Sequence, residues 1–118
     1  MVILKGGDGM KNLVFLIGRL TSDPEIKKTE SEKNHAVIVI AVQRDFKNSD
    51  GIYECDFIRC NLWNGIATQI GEYCHKGDLI GVKGRIQNRS YEEDGEVKYI
   101  TEIIVDKVSF LSTKKEED

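Results

Sequence analysis

Apolar positions come in short runs broken by polar, glycine-bearing segments, a pattern that predicts several strands and little helix. Residues 12–20 (NLVFLIGRL) read as a strand so apolar that both of its faces are expected to be covered for much of its length. Gly18 interrupts that strand and marks a bend, a bulge or a close backbone approach. Thr21-Ser22-Asp23-Pro24 reads as a turn, because proline fixes φ and aspartate bonds local backbone. The polar stretch 27–34 follows as a loop or hairpin tip. Residues 36–44 (AVIVIAVQR) predict a second strand, and the Asp-Gly pair at 50–51 predicts a turn into a third, 53–63 (YECDFIRCNLW). Ile66, Ile70, Tyr73 and Cys74 recur at helical spacing, so 65–75 is the helix candidate, with Lys76-Gly77 as its basic last turn and stop. Residues 79–91 predict a fourth strand, Asp94-Gly95 a tight turn, 97–105 the returning strand and 108–111 a short last one.

Three strands, one helix and two further strands are the layout of the oligonucleotide/oligosaccharide-binding (OB) barrel. The expected fold is therefore all-β: a five-stranded OB-fold barrel with one short helix between strands 3 and 4 and an extended hairpin between strands 4 and 5. Composition agrees. The chain has 14 Ile and 9 Val against 7 Leu and 3 Ala, and branching at Cβ suits a pleated surface better than a helix. Its 118 residues suffice for one core. Residues 11–111 are expected to form the domain, 1–10 an N-terminal arm or cloning remnant, and 112–118 a short polar tail. No apolar run approaches the ~20 residues that a membrane-spanning helix needs, and no secretory signal opens the chain.

Side chains of a strand alternate between faces, so parity sorts them. In the third strand Ile58, Cys60 and Leu62 share the core parity, and Phe57, Arg59, Asn61 and Trp63 share the other. In the fourth, Ile80, Val82 and Ile86 point one way, and Lys83, Arg85, Gln87, Arg89 and Tyr91 the other. No acidic residue interrupts 79–91, although the net charge is −3. Cations interleaved with exposed rings suit a single-stranded nucleic acid: the cations follow the phosphates, and each ring stacks a base for about 1–3 kcal/mol whatever the base is. A solvated outer face carrying lysine and arginine is the competing reading, and aromatics on two strands weigh against it. Phe46 follows Ile38, Ile40, Val42 and Arg44 in parity, so it either caps the core or adds a platform.

Catalysis and cofactors are not expected. His35 follows a polar loop and is expected to be solvated, while Cys74 and His75 are sequence neighbours whose side chains diverge. Cys55, Cys60 and Cys74 make an odd count that fits neither a disulfide framework nor a four-ligand zinc site, and reduced thiols follow. The carboxylates fall mostly in turns and the tail. Two other readings stay open: an RNA-binding OB domain, and a tail-less accessory (primosomal-type) interaction module with weak nucleic-acid binding.

VFLIGRLTSDPEI (14–26), AVQRDF (41–46), DFIRCNLW (56–63), YCHKGDLIGVKGRIQNRSYEEDG (73–95) and YITEIIVDKVSFL (99–111) together resemble the bacterial-type single-stranded DNA-binding (SSB) family. The resemblance implies sequence-independent binding and protection of single-stranded DNA in replication, recombination and repair, in the cytoplasm, on the nucleoid or in a phage- or plasmid-encoded system. It assigns base stacking to Phe46, Phe57, Trp63 and Tyr91, and phosphate contacts to Arg59, Lys76 and Arg89. Lys83 and Arg85 join the phosphate set by parity alone. It also implies a homotetramer built through barrel strands. Members often carry Trp at the positions of Phe57 and Tyr91, so smaller rings should stack less strongly here. A basic residue common soon after the third strand is Gly65 here. The family usually continues into a flexible linker and an acidic tip ending in Pro-Phe, which recruits replication and repair proteins. This sequence stops at Lys114-Lys115-Glu116-Glu117-Asp118, which fits either a chain cut short or a tail-less relative of phage, plasmid or primosomal type, so recruitment of those partners stays open.

Overall fold

The β-branched runs fold as strands: β1 (Val14–Leu20), β2 (Ile26–Lys28), β3 (Asn34–Lys47), β4 (Tyr53–Trp63), then α1 (Asn64–Tyr73), β5 (Leu79–Glu93) and β6 (Glu96–Ser112). This is a computed structural model, and it describes residues 10–113. The sheet runs β1-β5-β6-β4-β3-β2, and a further β1–β3 pairing closes it into a barrel of five strands with β2 as a short addition. The barrel and its helix form the OB fold expected from the strand order. β4 and β6 pair in parallel, and the other neighbours are antiparallel. The proposed arm at 1–10 and tail at 112–118 lie for the most part outside the described residues.

Closure depends on Gly18. A Cβ there would stand 2.6 Å from the Ala41 carbonyl oxygen, too close for any side chain. One residue later β1, still paired with β5 through Arg19 and Leu79, also takes up β3, pairing Arg19 with Ala41 and Leu20 with Ile40. The interior is lined by Ile38, Ile40, Cys60, Leu62, Ile80 and Val82, with Ala67 and Ile70 of α1 sealing one end. Burying a side chain of the Leu or Ile class contributes about 1.5–3 kcal/mol, so this interior carries the stability of the barrel.

Both long hairpins run past the interior. β5 and β6 stay paired out to Glu93 and Glu96, and the link is the Asp94-Gly95 pair with φ of 52° and 79°. Two positive φ values are what a twist-matched two-residue turn requires, and glycine takes the second without strain.

Several expectations are corrected. β1 is covered on its inner face only: Phe15 is 61% exposed, and Ile17 also looks out. The reason is that, among the described residues, no other element packs over that side. Ile86 has core parity but is 47% exposed, because β5 has already left the barrel interior at that point. The last two predicted strands are one. Lys83 pairs with Lys107 and Gly84 with Val105, so Asp106 is the extra residue of a bulge that β6 absorbs without ending. The polar stretch 27–34 is the hairpin alternative of its two readings: β2 turns back through residues 29–33 to pair with the start of β3. The helix stops at Tyr73, before the Lys76-Gly77 signal. Cys74 is extended, the His75 N–H donates to the buried Asp78 carboxylate at 2.8 Å, and Gly77 donates its N–H to the Leu20 carbonyl.

Candidate nucleic-acid interface

Register assembles the site. Outward residues of β4 meet those of β6, since Cys60 pairs with Ile103 and Asn61 with Ile104. β6 in turn sets Ile104 opposite Arg85, Glu102 opposite Gln87, Ile100 opposite Arg89 and Lys98 opposite Tyr91. One continuous surface therefore holds Phe57, Arg59, Asn61 and Trp63 of β4 beside Arg85, Gln87, Arg89 and Tyr91 of β5. The rings of Phe57, Trp63 and Tyr91 are all exposed on it.

Trp63 stands where β4 ends and α1 begins, with extended backbone at the N-cap. Its indole is 37% exposed because His35, its cross-strand partner on β3, stacks on it at 4.0 Å between ring centroids and 23° between planes. His35 is thus half-buried rather than solvated, and its Nε2 lies 2.9 Å from the Asn61 Oδ1. Trp63 also borders a cleft of about 280 Å³ lined by Lys33, Asn64, Arg85, Gln87 and Ile104. A flat ring beside two cations and two amides can take a base and its phosphate together.

At the centre of the surface lies a residue that sequence reasoning missed. Glu102 is only 3% exposed, and its carboxylate accepts the Arg59 Nε–H at 3.3 Å and the Arg89 Nε–H at 3.0 Å. Burial alone would raise this carboxyl. The bonds and charge of Arg89, the neighbouring Asn61 amide and the bond from Arg59 outweigh burial and hold it below the usual carboxylate range. Asn61 Nδ2 is buried and, among the described residues, completes no hydrogen bond. The stripe free of carboxylates along β5 is therefore not free of them across the sheet. Glu102 holds Arg89, and Asp106 lies 3.5 Å from Arg85. An acidic residue in the apolar run of β6, at outward parity, was the available signal.

The other predicted residues stand apart. Lys83 is two positions from Arg85, beside Phe15 of β1 and Lys107 of β6. Lys76 lies in the turn after α1, where its backbone N–H donates to Asp23 Oδ1 at 2.8 Å. Phe46 is 83% exposed on the outer part of the β3–β4 hairpin, so it caps nothing. That arm is braced by Arg44, which bonds Glu54 at 2.9 Å and Asp56 at 2.8 Å. The thiols are unpaired. Burial pushes Cys60 up to about 12 and raises Cys74 as well, so neither is poised as a thiolate nucleophile.

The chain matches the family model described as "Single-strand binding protein family" over residues 11–111. It is 46% identical over 109 residues to single-stranded DNA-binding protein B of Bacillus subtilis, covering 92% of this chain and 96% of that protein. It is 45% identical over 107 residues to single-stranded DNA-binding protein 1 of Clostridium acetobutylicum, covering 89% and 97%. Against single-stranded DNA-binding protein 3 of Listeria innocua it is 45% identical over 107 residues, covering 90% of this chain and 67% of the relative.

Proposed function

The chain belongs to the single-strand binding protein family, and from that premise we propose that it coats single-stranded DNA without sequence preference during replication, recombination and repair. The observation that carries the reading is the β4–β6–β5 surface, where exposed rings alternate with guanidinium groups on adjacent strands. Phe57, Trp63 and Tyr91 stack bases, and Phe46 extends the platform from the β3–β4 arm. Arg59, Arg85 and Arg89 follow phosphates across the surface, with Lys83 and Lys76 further along the path of the strand. Binding of this kind needs no bond making, and the protein acts without cofactor or turnover in the cytoplasm. Among the described residues no helix is long and apolar enough to cross a membrane.

Self-association is part of the same reading. Phe15 and Ile17 of β1 present an outward apolar face continued by Leu111 of β6, which is exposed and approaches Phe15 over the side-chain-free Gly81. Exposed apolar surface of this kind favours burial against another protein surface, and a second copy of the chain supplies one. We assign the assembly as a homotetramer, which sedimentation equilibrium measures directly.

The function is tested by fluorescence anisotropy with labelled oligo(dT), with a duplex of the same length and with the matched RNA oligomer. Tight binding to oligo(dT) and weak binding to the duplex are expected. Equal affinity for duplex would overturn base stacking as the basis of binding, and preference for the RNA would move the assignment to an RNA-binding OB domain.

A further inference from the structure

Glu102 is a puzzle for a surface that binds a polyanion. Its carboxylate repels phosphate, and together with Arg59 and Arg89 it leaves the trio with the net charge of a single cation. We propose that Glu102 is a positioning residue for single-stranded DNA, which fixes two guanidinium forks by one Nε–H each so that their Nη groups face the phosphates. The proposal deepens the single-stranded DNA reading and rests on it.

The geometry supports this in three ways. Both bonds to Glu102 use Nε, at 3.3 Å from Arg59 and 3.0 Å from Arg89. A guanidinium has five N–H donors in a rigid plane, so anchoring Nε sets the direction of the other four. Among the described residues, the Nη groups of these two arginines make no hydrogen bond, and both side chains remain partly open, at 40% and 46% exposure. Last, the anchor is hard to release. The carboxylate is buried, and a buried charge that loses partners is costly, so either arginine that leaves deprives it of one of its two ionic partners. Long side chains held in place before binding have already given up the freedom that complex formation would otherwise take from them. One negative charge is thereby exchanged for two oriented forks.

The sign of one substitution separates this from simple electrostatics. Glu102→Gln removes a negative charge from the surface, and Coulomb attraction alone would then tighten binding to oligo(dT). Loss of positioning instead weakens it, by about five- to tenfold once the amide, with one acceptor oxygen, can no longer hold both arginines. The second readout is spectroscopic. In nitrogen–proton correlation spectra of the free wild-type protein, Arg59 and Arg89 should show exchange-protected Nε–H signals. These should persist when oligo(dT) is added, and at least one should disappear in the folded Glu102→Gln variant. Should that variant fail to fold, Arg89→Lys keeps the charge without the fork and should lose several-fold in affinity. A folded Glu102→Gln protein that binds as tightly as wild type, or tighter, overturns the proposal. So does an Arg89→Lys protein with unchanged affinity. A wild-type protein that does not bind oligo(dT) removes the single-stranded DNA reading itself, and the proposal with it.

Discussion

Two stretches of the barrel exterior carry exposed aromatic rings, and they differ in what lies between the rings. On β4, β6 and β5, Phe57, Trp63 and Tyr91 alternate with arginines that surround a buried carboxylate. On β1, Phe15 stands beside Ile17 and Leu111, with Lys83 as its cross-strand partner, Lys107 one strand further, and no arginine or buried carboxylate between. The same alternation of faces builds both. A ring among cations offers a plane to a base and a charge to its phosphate, whereas a ring among aliphatic groups offers only area to be buried. On the proposed function, the barrel is divided into a surface for nucleic acid and a surface for protein, and the residues between the rings decide which is which.

The largest effect should come from removing what both surfaces share. Ile40 is fully buried beneath them, and Ile40→Ala should cost about 2–5 kcal/mol of stability in denaturant unfolding, with binding and assembly lost together. Next, Phe15→Ser should remove about 1.5–3 kcal/mol of apolar burial at each copy's contact, lowering the mass seen by light scattering. Each protomer should keep its affinity for a short oligomer. Trp63→Ala should do the converse, losing about 1–3 kcal/mol of affinity with the mass unchanged. If either substitution moved both readouts while the protein stayed folded, the division of the barrel would fail.

The smallest effect concerns the brace of the β3–β4 arm that carries Phe46. The side-chain hydrogen bond from Arg44 holds the Asp56 carboxyl below its ordinary value, with charge attraction adding to it and burial opposing. A carboxyl lowered by folding stabilises the β3–β4 arm above its unfolded pKa. That contribution is lost as pH falls through the lower folded value. Hydrogen exchange in the arm should therefore accelerate only in acid below the usual aspartate range. Asp56→Asn should remove that step. The pair is exposed, so the change in stability should be slight.

Much of this was legible in the sequence. Parity along β4 separated Cys60 and Leu62 from Phe57, Arg59 and Trp63, because a strand carries its own alternation. What a single strand cannot express is its neighbour. Glu102 reaches Arg59 and Arg89 only through the registers of β6 with β4 and β5, and His35 covers Trp63 only because β3 pairs with β4 at that position. Ile86 failed for a related reason: periodicity reports which way a side chain points, not whether the barrel extends that far. The apolar outer face of β1 was read as covered, and among the described residues of one chain nothing covers it.

The most direct test of the account is the emission of Trp63, the single tryptophan, during titration with oligo(dT) at several salt concentrations. The account predicts strong quenching, with log K falling linearly against log salt at a slope of about −0.7 per phosphate neutralised. Binding detected by anisotropy with no change in Trp63 emission would contradict it, because the nucleic acid would then lie somewhere other than on the β4–β6–β5 surface.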